Sequence, residues 1–67
     1  MHLDTTDPAA LEAALEATPP GTTARVRVRG EVHLLQRVAG GWYLPGDLVI
    51  ASGDVADGRP DEVEVLG

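Results

Sequence analysis

TTARVRVRGEVHLLQRVAGGWYL, residues 22 to 44, is the stretch whose reading decides the fold of this chain. Apolar and polar residues alternate along its first part with the period of a half-buried strand, so Val26 and Val28 point to one side and Arg25, Arg27 and Arg29 to the other. Two glycine-containing breaks, Arg29-Gly30-Glu31 and Ala39-Gly40-Gly41, divide the stretch into an antiparallel meander. Keeping Val26, Val28, Val32 and Leu34 on a single face requires pairing Val28 with Val32 and Val26 with Leu34 across a three-residue loop. The same rule pairs Val38 with Trp42 and Gln36 with Leu44, placing the only Trp on the core side. The expected core side is therefore Val26, Val28, Val32, Leu34, Val38 and Trp42, with the guanidinium groups left in water.

Upstream, Asp7 followed by Pro8 is a strong helix start, because the Asp carboxylate accepts from amides of the first turn and Pro is tolerated at the first helical position. A helix over about residues 8 to 17 presents Leu11, Ala14 and Leu15 as a narrow apolar stripe, with Glu12 and Glu16 on a wet face, and Thr18-Pro19-Pro20-Gly21 ends it. Downstream, Pro45-Gly46-Asp47 is a turn, and Leu48 to Ala51 is an apolar strand with both faces in need of cover. Ser52-Gly53-Asp54 caps a helical turn through Asp57, and Gly58-Arg59-Pro60 closes it before an alternating strand from Glu62 to Leu66. Strands are expected at about 23–29, 32–38, 42–44, 48–51 and 62–66 of a single domain, residues 1–67. The class is α+β: an N-terminal helix packed on a small antiparallel sheet of four to five strands, with scope to curl into a partly open SH3-like barrel.

A chain of 67 residues buries only about 60% of the surface its unfolded form exposes. It contains no cysteine, so there is no disulfide and no thiolate metal site, and the composition suits a reducing cytoplasm. A net charge of −6 opposes nonspecific attraction to nucleic acid or to an anionic membrane. The first residues lack the basic start and apolar run of a signal peptide, and no later stretch has the length of a membrane span, so a soluble cytoplasmic protein without membrane attachment is expected.

Arg25, Arg27 and Arg29 recur at alternate positions, with His33 and Arg37 on the next strand, and together they form a candidate anion-binding or partner face. The competing reading of that face is an ion-paired surface, with Glu62 and Glu64 opposite the arginines. Leu35, Tyr43, Leu48 and Ile50 are candidates for an interface, because Leu35 and Tyr43 are left on the outer side and the Leu48 strand is apolar on both sides. Adjacent strand residues project oppositely, so Trp42 and Tyr43 do not form one base-stacking platform. No catalytic residue, cofactor site or metal site is expected: the only histidines are His2 and His33, Ser52 reads as a helix cap, and the acidic residues from Asp54 to Glu62 match no cation-binding loop.

The succession Leu11-Glu12-Ala13-Ala14-Leu15, Pro20-Gly21-Thr22, Gln36-Arg37, Gly41-Trp42-Tyr43, Gly46 and Val63-Glu64-Val65-Leu66 resembles small accessory proteins encoded by actinobacteriophages. These have a short Leu-rich helix, a Pro-X-Gly-Thr lead-in to the first strand, a Gly-Trp after the second hairpin turn and a terminal Val-X-Val-Leu strand. Their Asp-Gly-Asp-like turn is replaced here by Arg29-Gly30-Glu31. That family is largely without assigned function, so the resemblance implies a phage origin and this architecture more than an activity; the function expected is that of a nonenzymatic phage protein that binds a host protein or blunts a host defence. The alternatives are a homo-oligomer sequestering a nucleotide or other anion through its arginine face, and a structural or assembly component of the virion.

Overall fold

The computed structural model describes residues 1–67. Helix α1, Pro8–Glu16, begins where Asp7 Oδ1 accepts from the backbone N–H groups of Ala9 and Ala10 at 3.1 and 3.5 Å. Three strands follow as a meander, β1 (Thr23–Val28), β2 (Glu31–Val38) and β3 (Gly41–Leu44), and then β4 (Leu48–Ile50). Helix α2 spans Ser52–Asp57, and Asp54 Oδ2 accepts from the Ala51 N–H at its start. Strand β5, Glu62–Val65, returns alongside β1. The result is an α+β fold with one antiparallel sheet in the order β4-β3-β2-β1-β5. The sheet is open, with β4 and β5 at opposite ends, and no pairing between them closes a barrel. No helix is long and apolar enough to cross a membrane.

Both helices contribute to a core on one side of the sheet. Leu11 and Leu15 of α1 and Val55 and Ala56 of α2 join Ala24, Val26, Leu35, Trp42 and Val63 in it. Trp42 has no exposed surface, and its indole N–H donates to the buried Ser52 Oγ at 3.1 Å. Ser52 therefore anchors the Trp and does not serve as the cap expected from its position. Asp7-Pro8, the β1 alternation, the Pro45-Gly46-Asp47 turn and the inward Val63 all stand as read from the sequence.

The register of the meander differs from expectation by one residue. Val28 pairs with Glu31 and Val26 with His33, so the first loop is Arg29-Gly30 alone, with φ of +51° and +81°. Two positive φ values suit a tight turn whose twist matches the flanking strands, and this turn chemistry prevails over keeping the valines together. The second loop is likewise Ala39-Gly40, which pairs Val38 with Gly41, Arg37 with Trp42 and Gln36 with Tyr43. The slip turns β2 over. Leu35 and Arg37 face the helices, while Val32 and Leu34, expected in the core, are 55% and 54% exposed on the other side. Val38 is half-buried, and Trp42 stays inside because it now lies opposite the inward Arg37.

Gly41 is fixed by β4 rather than by a turn: a Cβ there would lie 2.5 Å from the Ile50 carbonyl oxygen and 2.8 Å from Val49 Cγ1. Gly41→Ala is expected to destabilise the fold by about 2 kcal/mol through this overlap, measured as a lowered midpoint in urea unfolding.

Candidate functional site

With α1 and α2 on one side, the opposite side of the sheet carries no covering element. Across it run Val49 of β4, Tyr43 of β3, Leu34 and Val32 of β2, Arg25 and Arg27 of β1, and Glu62 and Glu64 of β5. Pairing is what places them together: Arg25 lies between Leu34 and Glu64, Arg27 between Val32 and Glu62, and Tyr43 between Gln36 and Val49. Val32, Leu34 and Val49 are each more than half exposed, and they lie on the same face as Tyr43. Two arginines and two glutamates leave the face with no net charge. All of the −6 charge belongs to residues elsewhere, on the helices, turns and termini.

The arginines do not act as one cluster. Arg25 Nη2 lies 3.3 Å from Glu62 Oε1 and 3.6 Å from Glu64 Oε1, so its guanidinium is already engaged by two carboxylates. Arg27 shares the face, its Cα opposite that of Glu62. Arg29 is a turn residue whose N–H donates to Asp61 Oδ2 at 3.1 Å. His33 is on the helix side of the sheet, with its Nε2 3.6 Å from Glu31 Oε2.

Arg37 is enclosed, 7% exposed, and corrects the expectation that its guanidinium is wet. Its Nε donates to Thr18 O at 2.9 Å, Nη2 to Glu16 O at 3.1 Å and Nη1 to Gly41 O at 2.8 Å. The guanidinium also stands 5.6 Å from the centre of the Trp42 ring, within cation–π range. Burial of the charge is tolerated because its donors cap carbonyls at the end of α1 that lack helical partners. Inward-facing Leu35 and Trp42, two and five positions from Arg37, were the available signal, since Leu35 and Arg37 must share a face.

Of the interface candidates, Leu35 is buried in the core, contrary to expectation, and is not open to a partner. Tyr43 lies on the open face, Leu48 is exposed, and Ile50 is partly buried against the core. Sequence reasoning missed Val32, Leu34 and Val49 as surface residues; β2 has apolar residues on both of its faces, so hydrophobicity alone does not choose between them. On the helix side, a cleft of about 150 Å³ opens between the β1–β2 hairpin and α2, lined by Val28, Leu44, Ile50 and Val55 with His33 and Asp54 among its polar groups.

The Tyr43 hydroxyl donates to Asp47 Oδ1, which ties the open face to the β3–β4 turn. This bond to a carboxylate holds the phenol protonated above its ordinary pKa of 10.0. The phenol loses its proton only as pH rises through the raised value, so the bond is intact at neutral pH and is lost in strong alkali. Ultraviolet titration of tyrosinate is expected to give a midpoint above 10.0, falling toward it in Asp47→Asn. Arg37→Ala is expected to cost about 3 kcal/mol in denaturant unfolding, because it strands buried carbonyls and removes the stack on Trp42. Comparison of the chain with protein-family models, curated proteins and solved structures finds no match.

Proposed function

We propose that this chain is a nonenzymatic binding protein that occupies a protein of an actinobacterial host, in the host cytoplasm, and that the open sheet face is its contact surface. The observation that carries the reading is the segregation of surface character. Val32, Leu34, Tyr43 and Val49 lie together on the one broad face without net charge, and the remaining surface is strongly acidic. An apolar strip bordered on its β1–β5 side by two arginines and two glutamates has the anatomy of a protein interface: the centre loses water readily, and the charged border sets orientation. The resemblance to actinobacteriophage accessory proteins supports the phage origin and the host as the source of the partner.

Anion sequestration draws less support, since Arg25 is held by two glutamates and Arg37 is spent on backbone carbonyls. Self-association is favoured by the same neutral face, because two copies meeting there do not bring their excess charge together.

Val49 is 54% exposed, so Val49→Glu leaves folding within about 0.5 kcal/mol of the parent while placing a charge in the strip. The immobilised parent protein is expected to retain a stoichiometric partner from actinobacterial lysate, and Val49→Glu to lose it. Equal retention by both proteins counts against the sheet face. Light scattering of the parent alone, with Val49→Glu as control, reports whether a second copy occupies the face instead.

A further inference from the structure

The sheet has three stretches of strand edge, and they are not equally bare. That of β5 is covered by the first residues of the chain: Leu3 N–H donates to Val63 O at 2.9 Å and Val65 N–H to Met1 O at 2.7 Å. That of β4 is three residues long, and only Val49 turns its backbone groups away from β3. The third is the first half of β2, because β3 opposes β2 only from Gln36 to Val38.

Which backbone groups this third edge presents follows from Arg37. Its N–H donates to Thr22 O at 2.8 Å and its carbonyl accepts from Gly21 N–H at 2.9 Å, so odd-numbered residues of β2 bond toward β1 and even-numbered ones toward β3. Gln36 and Val38 meet β3; Val32 and Leu34 have no backbone partner. The ladder stops for a chemical reason. Continuing the register would set Pro45 opposite Leu34, and Pro has no N–H to give.

A cleft adjoins this edge on each side of the sheet. The inner one, of about 150 Å³, lies between the hairpin and α2. The outer one, of about 230 Å³, is lined by Leu34, Gln36, Tyr43 and Pro45. An extended segment lying beside β2 projects alternate side chains to the two faces of the sheet, one toward each cleft. Arg25 and Arg27, beside Leu34 and Val32 on the outer face, have Glu64 and Glu62 opposite them, Arg29 stands in the turn next to Glu31, and no arginine lines either cleft. Asp54 lines the inner one, Glu31 sits against His33, and Asp47 is bonded to Tyr43.

We infer that β2 from Glu31 to Leu35 is a docking edge for an extended segment of a partner protein, one that adds as a further strand, seats neighbouring apolar side chains in the two clefts and carries Lys or Arg on its flanks. The inference rests on the reading of the chain as a binding protein and specifies how a partner is held. Backbone bonds to Val32 and Leu34 supply register, the clefts supply selectivity, and the acidic surroundings favour a basic segment over a second copy of this acidic chain.

The probe is the acetylated, amidated peptide Lys-Thr-Val-Val-Val-Thr-Lys, whose neighbouring valines project to opposite faces of the sheet, with a version N-methylated at alternate residues. In the free protein the Val32 and Leu34 amides are expected to exchange with solvent faster than those of His33 and Leu35, and the parent peptide to slow both by about tenfold or more. N-methylation, or Val32→Pro in the protein, is expected to weaken binding about tenfold by removing a donor, whereas Val32→Thr, which keeps it, binds as the parent does. Val32→Pro is compatible with the fold because that N–H takes no part in the β1–β2 ladder; should it unfold, the methylated peptide on the parent protein decides. Absence of peptide binding, binding indifferent to N-methylation, or protection of Val32 and Leu34 that grows with protein concentration alone overturns the inference. Val49→Glu and Val32→Pro separate the two proposals: loss of the host partner in Val49→Glu with peptide binding retained locates the partner on the face, and retention of the partner in Val49→Glu with its loss in Val32→Pro locates it on the edge.

Discussion

The rest of the structure depends on the Arg37 guanidinium held beneath the end of α1. One side chain from β2 donates to carbonyls of Glu16 and Thr18 at the close of the helix and to that of Gly41 at the start of β3, while lying against Trp42. These groups come from three separate parts of the chain, and a short helix has little stability of its own. Arg37 therefore does what a glycine cap does in many helices, but with a tertiary tie, so the helix end and the second hairpin are stabilised as one unit. The Glu16 carboxylate lies 3.5 Å from the same guanidinium but is largely exposed, so the backbone bonds carry more of the energy than the ion pair.

Burial of Arg37 and the two-residue Arg29-Gly30 turn agree on which side of β2 turns inward, and that choice has a cost in apolar surface. Leu35 goes into the core with it, and Val32 and Leu34 are left in water. The sheet then has one face packed by two helices and one face bare, the arrangement of a two-layer domain. The exposed strip is an outcome of this orientation, and the bare backbone edge beside it follows from Pro45 ending the β2–β3 ladder in the same register. Had β2 been the other way up, the valines would have been enclosed and the arginine solvated.

The elements with unambiguous local signals were legible in the sequence. Asp7-Pro8 names a helix start, Arg25-Val26-Arg27-Val28 names a half-buried strand, and Val63 between Glu62 and Glu64 names another. The antiparallel α+β class followed from these and the turn residues. The register of β2 did not, because Val32, Leu34 and Leu35 offer hydrophobic residues to both faces and the deciding partner of Arg37 is a set of backbone carbonyls, which leave no trace in residue types. The arginine grouping failed for the same reason. Arg25 and Arg27 share the expected face, whereas Arg29 is taken by a turn and Arg37 by the core. The Glu62 and Glu64 pairing was readable from alternation in the last strand, and it holds Arg25 as that reading anticipated.

The separation of charge from the sheet face has a kinetic side. Long-range fields accelerate encounter when the surfaces that meet carry opposite charge, and salt then slows the approach. A face in which two arginines balance two glutamates sends out little field of its own, so docking there proceeds at a rate set by diffusion and orientation and changes little with ionic strength. Approach to the edge beside Glu31 and Asp54 is a different matter, since acidic groups border it and a cationic chain is drawn toward them from a distance. One small domain thus offers two neighbouring surfaces that salt would tune to unequal degrees.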